Sequence, residues 1–287
     1  MTAAARRRFG ACLFAGVLVL GACSGSTAQE VVSKPRPVLT PSTPEPTASS
    51  TPTVDPEDLL LASSFEEPVC GRWTQQPEKL GCEFGVQGGV EAGPYQPRTG
   101  DSAVRIPRMT PSHQGVIADV PLEDGHAFIG VAHRIPAIPR GAIPAQRSHI
   151  QLEQLSPTDG LLPGRPVEVR LYPNRRLGLA LFGDMHKVAM ADWRVPVDEW
   201  FYVVVEITNG TRAKQRMWLY GPSGDLKAEV STQLNTRSPP SGGRTAHKVG
   251  GNTSTLVPMY TYADDWYIAK KFLGPVRIDE RGTLWSP

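Results

Sequence analysis

Between residues 147 and 182 the chain reads RSHIQLEQL, a polar turn, RPVEVRLY, a short turn and RRLGLALF, and each piece alternates apolar with polar residues. A period of two belongs to a strand with two unlike faces. Ile150 and Leu152 fall on one side of the first piece, with Arg147, His149, Gln151 and Glu153 on the other. In the second, Val167, Val169 and Leu171 oppose Glu168, Arg170 and Tyr172; in the third, Leu177, Leu179 and Leu181 form the apolar side. As neighbours in one antiparallel sheet, these strands give one core face and one plate of His, Gln, Glu, Arg and Tyr. A plate of that composition offers donors, acceptors and flat surface together, which suits a sugar polymer. A solvated outer face shows the same alternation.

The chain from residue 58 to residue 287 continues in this manner. LLLASSFE, SAVRIPR, GVIADVPL, HAFIGVAHRI, KVAMADW, EWFYVVVEI, RMWLYG, LKAEVS, TLVPMY, DDWYIAKKF and GPVRI are short apolar or alternating runs broken by Gly, Pro, Asn and Asp. No convincing amphipathic helix exceeds two turns, and no repeat is visible. Many short strands in one domain imply an all-β sandwich or jelly roll, and a length of this order does not force a division.

The residues before it have a different character. Arg6, Arg7 and Arg8 precede an apolar run from Phe9 to Leu20, so residues 1–22 read as an export signal, too short for a comfortable membrane span. Leu20-Gly21-Ala22-Cys23 resembles the lipobox of bacterial lipoproteins, which implies acylation of Cys23 after cleavage; an ordinary secretory signal cleaved near Ala22 is the alternative. Residues 23–57 are rich in Pro, Ser and Thr, and proline at that density forbids helix and central strand, so a disordered tether is expected. The implied location is the outer face of the bacterial cytoplasmic membrane, with the domain reaching into the cell wall.

Cys70 and Cys82 remain once Cys12 leaves with the signal and Cys23 is acylated; an even pair in an exported protein reads as a disulfide. Its small loop would contribute about 3 kcal/mol. The whole chain carries +2, and removal of the three arginines in residues 1–22 leaves −1. That balance argues against a nucleic-acid partner, which calls for a basic field.

The order of the segments carries a resemblance. SSFEE is followed by RTGDSAVRIP, with Arg98, Gly100, Ala103 and Arg105 in an R-x-G-x-x-A-L-R pattern. HAFIGVAHRIP, RSHIQLEQL with its meander, VDEWFYVVVEI, RMWLYGPSGDL and DDWYIAK follow in turn. Over roughly residues 60–275 this resembles the concanavalin A-like jelly roll, specifically the heparinase- and alginate-lyase-like polysaccharide lyases and their laminin-G-like relatives. The resemblance implies two antiparallel sheets and β-elimination on a uronic-acid polymer: a base removes the proton beside the carboxylate, an acid protonates the leaving oxygen, and Arg or Gln neutralises the carboxylate.

Carried over residue by residue, the family motifs are incomplete. Gln151 matches the glutamine of Q-x-H, but Glu153 stands where its histidine belongs, and His149 is displaced by roughly 7 Å along the strand. The R-x-E strand best matches Ile117-Ala118-Asp119, without its arginine. The Y-F-K-x-G-x-Y strand best matches residues 246–252, keeping Lys248 and Gly250 but neither tyrosine. The plate itself offers His149 as base, Tyr172 as acid, and Arg170 with Gln151 as clamp, while Arg147, Glu153, Glu168 and Lys248 are candidate substrate contacts. No cofactor is required. Asp264-Asp265 with Glu66 or Glu67 would offer hard oxygens to calcium, as in related jelly rolls, or form an acidic turn leading into a strand. Trp193, Trp200 and Trp218 are expected in the core, while Trp73 and Trp285 are freer to meet ligand. The expectation is a surface lipoprotein that binds, or cleaves, a polysaccharide; a binding module without catalysis and a structural envelope domain are the alternatives.

Overall fold

In a computed structural model the described residues are 55, 57–66, 85–87, 89–108, 112–121, 126–143, 149–156, 167–181, 188–234, 236, 244–253, 255 and 257–287. The chain divides into residues 1–47 and 48–287, and every described residue belongs to the second unit. The signal segment, nearly all of the tether, Cys23, Cys70, Cys82, Trp73, Glu67 and Arg147 lie outside the described residues.

The strands in chain order begin with β1 (Leu59–Ser63), β2 (Gly85–Gln87), β3 (Glu91–Gly93), β4 (Ala103–Pro107), β5 (Ser112–Pro121) and β6 (His126–Arg134). Then come β7 (Ile150–Ser156), β8 (Val167–Leu171), β9 (Arg176–Leu181), β10 (Val188–Arg194), β11 (Trp200–Thr208) and β12 (Ala213–Tyr220). The chain closes with β13 (Leu226–Leu234), β14 (Arg244–Thr253), β15 (Tyr260–Ala269), β16 (Arg277–Ile278) and β17 (Leu284–Trp285). An eight-stranded sheet runs β13-β12-β11-β6-β15-β4-β3, with β1 also paired to β15. A seven-stranded sheet runs β10-β9-β8-β7-β14-β5-β2, and all pairings are antiparallel. This is the all-β jelly-roll sandwich that the alternation and the resemblance imply.

The core lies between the sheets because each strand turns its apolar set inward. Ile150, Leu152, Leu155, Val167, Val169, Leu171, Leu177 and Leu179 of the seven-stranded sheet meet Ile129, Val131, Phe201, Val203, Val205, Met217 and Trp266 of the other. Each such side chain contributes about 1.5–3 kcal/mol by leaving water. Trp193 packs against this core, as expected, whereas Trp218 and the partly buried Trp200 belong to the second cluster; Trp285 is exposed.

That second apolar layer lies on the outer face of the eight-stranded sheet, where Val276, Ile278 and Leu284 of the β16–β17 hairpin cover Tyr202, Val204 and Tyr267. The two tyrosine rings stack over Gly130, where a Cβ would come 2.5 Å from Tyr267 Cζ and 2.9 Å from Tyr202 Cε1.

Two expectations are corrected. The opening strand ends at Ser63, so Glu66 belongs to the following loop. Asp264 and Asp265 do not lead into a strand: they sit inside β15, at a register shift between Asp264 and Tyr267, and both are wholly buried. The shift breaks the alternation and turns both carboxylates into a space the period-two pattern does not foresee.

Candidate active site on the seven-stranded sheet

β7, β8 and β9 are neighbours in the register Gln151↔Arg170 and Arg170↔Gly178. The face away from the core therefore carries Gln151, Glu168 and Arg170 side by side. Gln151 Nε2 donates to Glu168 Oε1 at 2.6 Å, Arg170 Nε to Glu168 Oε2 at 2.7 Å, and Arg170 Nη2 to the Leu181 carbonyl at 2.6 Å. Gln151 and Arg170 are each 1% exposed. Each Glu168 oxygen thus accepts a donor, and Arg170 is held both by Glu168 and by the Leu181 carbonyl. An arginine held in this way is a rigid charge rather than a mobile clamp.

The rim of that network is where side chains emerge. Four residues, 172–175, join β8 to β9: Tyr172 N donates to the Arg176 carbonyl, and Arg175 adopts a positive φ of 63°. This geometry, a turn closed by a left-handed residue, sets Tyr172 just past the end of β8. Its ring lies against His149, which precedes β7, with centroids 5.8 Å apart and planes at 48°. Both residues are partly exposed. Burial raises the Tyr172 phenol above its ordinary pKa, while a hydrogen bond from Arg170 and its charge pull the other way. His149, Tyr172, Arg170, Gln151 and Glu168 thus form one connected group, as the alternation suggests.

Glu153 does not join them. The pairing jumps from Gln151↔Arg170 to Glu153↔Val169, so Leu152 is an extra residue and the strand bulges. Beyond the bulge the faces exchange, and Glu153 points into the sandwich. It accepts from His133 Nε2 of β6 at 2.9 Å and from His247 Nε2 of β14 at 3.2 Å. Trp266 Nε1 donates to His247 Nδ1 at 2.7 Å. An indole N–H only donates, so Nδ1 carries a lone pair and His247 is neutral with its proton on Nε2. Burial also lowers the His247 pKa, against the pull of Glu153. Burial works against the Glu153 carboxylate, yet the bonds from His133 and His247 hold it below its usual range. The expectation that Glu153 lines the polar plate is therefore overturned by a single inserted residue.

Lys248 lies on β14, paired with Gln154 of β7 and Ile117 of β5, so the three strands matched to lyase motifs are adjacent. Burial, with the nearby Arg108 charge, pushes its ammonium down to about 7. Gly115 makes room for it: a Cβ there would meet Lys248 Cε at 2.9 Å. Arg108 is a residue that the sequence reading missed. It follows β4, is wholly buried, and spans the sandwich, donating from Nε to Thr261 Oγ1 at 2.9 Å and from Nη1 to the Gln151 carbonyl at 3.0 Å. Burial pushes it down to about 9, and among the described residues its Nη2 has no hydrogen-bond partner. Pro107-Arg108 stands at a strand end with no alternation to flag it.

The acidic pair in β15 is engaged by protein donors. Asp264 Oδ2 accepts from the backbone of Arg98 at 2.6 Å and of Thr99 at 3.1 Å; Asp265 Oδ1 accepts from Ile278 N at 2.8 Å and Oδ2 pairs with the Arg98 guanidinium. Burial and the Asp265 charge push Asp264 well up; burial raises Asp265 too, against the pull of Arg98. Glu66 instead receives the backbone N–H groups of Asp101 and Ser102, each at 2.9 Å. Arg98 is the cation paired with Asp265, and among the described residues no group of three or more His, Cys, Asp or Glu side chains could hold a metal.

No protein-family model matches the chain, and no curated protein matches it. Among solved structures it is similar to an endo-β-1,4-glucuronan lyase from Trichoderma reesei, at 14% identity over 66% of this chain and 91% of that one, with a TM-score of 0.45. It is also similar to an alginate lyase from Aplysia kurodai, at 9% identity over 76% and 99%, TM-score 0.47. A third, the cellulose induced protein Cip1, matches at 12% identity over 75% and 99%, TM-score 0.47.

Proposed function

We propose that this domain binds an acidic polysaccharide across the rim formed by His149 and Tyr172, as part of an exported protein anchored through Cys23. The observation that carries the reading is the contact of those two partly exposed rings at the edge of a buried Gln151–Glu168–Arg170 network. The rings offer a sugar a flat surface and two hydrogen-bonding groups, and Arg170 beneath them, paired with Glu168, orients Tyr172 through its hydrogen bond to the phenol. The leader, lipobox and Pro/Thr-rich segment support placing the domain outside the membrane.

The same pair is suited to elimination. His149 takes the proton at C5, beside the carboxylate; the C–H electrons form the C4=C5 bond. The C4–O bond breaks, and Tyr172 gives its proton to the departing oxygen. Like any phenol, Tyr172 holds its proton at neutral pH; burial raises it further and makes it the weaker acid. A binder without catalysis is favoured by the departures from the lyase motifs and by the prior engagement of Arg170 with Glu168. The test is incubation of the full-length protein with uronic-acid polymers while following ultraviolet absorbance of the new double bond, beside direct binding to the same polymers. Binding lost in His149→Ala supports the site; absorbance that rises in the wild type and not in His149→Ala adds catalysis. Absence of binding to every polymer rejects the reading in favour of a structural domain.

A further inference from the structure

The opposite face of the sandwich holds a second array. One row of cross-strand partners runs over five strands of the eight-stranded sheet: Glu91↔Arg105, Arg105↔Tyr262, Tyr262↔Arg134 and Arg134↔Trp200. At a strand spacing of about 4.8 Å the row spans about 19 Å. These positions alternate with inward-facing Val104, Ala263 and His133, so the row faces away from the core. Tyr95 and Tyr260 flank it. The Arg105 guanidinium lies between their rings, 4.5 Å and 4.7 Å from the centroids, and that of Arg134 lies 4.3 Å from Tyr262 and 5.6 Å from Trp200.

The charges in the row do not balance. Arg105 pairs with Glu91. Arg134, only 8% exposed, donates to neutral acceptors, the Gln96 side chain and the Tyr95 carbonyl, and among the described residues its Nε has no hydrogen-bond partner. Among the described residues no carboxylate forms an ion pair with it. Tyr260 is 39% exposed, so the platform is open to solvent at its edge.

We infer that this row is a second binding site, for an extended acidic polysaccharide that crosses the strands. Sugar C–H faces stack on Tyr260, Tyr262 and Trp200, and a carboxylate answers the uncompensated charge of Arg134. A neutral polymer leaves that charge unanswered, which commits the site to an anionic chain. The inference stands apart from the His149–Tyr172 site on the other sheet. Two separate sites on one domain would let it bridge chains or hold one while acting on another.

The experiment uses the full-length protein, labelled with ¹⁵N, titrated with oligoglucuronate and separately with cellohexaose. The indole N–H signal of Trp200 is assigned from the Trp200→Phe variant. The expected result is a shift of that signal with oligoglucuronate alone and weaker binding at higher salt. Tyr260→Ala, at the exposed edge, should weaken it about threefold and Arg134→Met about tenfold or more. Arg134 also holds the Tyr95 carbonyl and the Gln96 side chain, so Tyr260→Ala serves as the variant that leaves the fold intact. An unmoved Trp200 signal overturns the inference, as does an equal response to cellohexaose. Binding lost in His149→Ala but retained in Tyr260→Ala assigns the ligand to the other sheet and also overturns it.

Discussion

Glu153 reaches across the sandwich to His133, Oε1 to Nε2 2.9 Å, where neither side chain meets solvent. Because His247 bonds the other carboxylate oxygen, the group ties β6, β7 and β14 together through one ion. Replacing it with Glu153→Leu leaves two buried imidazole donors without an acceptor. The expected loss is ~2–5 kcal/mol of unfolding free energy, read from urea denaturation.

The same group predicts acid lability. Glu153 is held below its usual range in the fold, so its stabilisation is complete above the unfolded carboxylate's pKa and is lost as pH falls through the lower folded value. His247, also lowered, is neutral when folded, and protonation at low pH favours the unfolded chain. Both effects run in one direction. Unfolding free energy measured from pH 7 downward should fall less steeply in His247→Phe than in the wild type.

Gly130 has no room for a side chain beneath the stacked Tyr202 and Tyr267 rings. Gly130→Ala should cost about 1–3 kcal/mol by overpacking. Thermal unfolding checks it, and Tyr267→Leu in the same chain should recover part of the loss.

Arg170→Ala removes the cation from a buried pair and strands Glu168 with one donor fewer. The expected cost is ~3–5 kcal/mol, so any loss of glycan binding in this variant is confounded with unfolding. Glu168→Leu combined with Arg170→Met should be less destabilised than Arg170→Ala alone, measured by the same denaturation.

Lys248 titrates at about 7 because it is buried and close to Arg108. If it contacts an acidic glycan, binding to oligoglucuronate strengthens as pH falls from about 8 to about 6, the direction in which the lysine gains charge. Lys248→Met should flatten that profile in calorimetric titrations.

The all-β sandwich was legible in the alternation, and so were the apolar strand residues that leave water together, because a period of two states which side chains share a face; Trp200, expected in the core, lies instead on the outer face. The sequence also brought His149, Gln151, Glu168, Arg170 and Tyr172 to one face, since alternation needs only neighbouring strands to become a surface. It did not determine Glu153, because one extra residue at Leu152 exchanges the faces and nothing in the composition of RSHIQLEQL announces a bulge. Arg108, Arg98 and the Arg105–Tyr262–Arg134–Trp200 row were out of reach for another reason. Each joins residues far apart in the chain through strand order, and which strands lie side by side follows from how the whole chain packs. The burial of Arg170 belongs with these: local alternation gives the face a side chain takes, whereas exposure depends on everything packed around it.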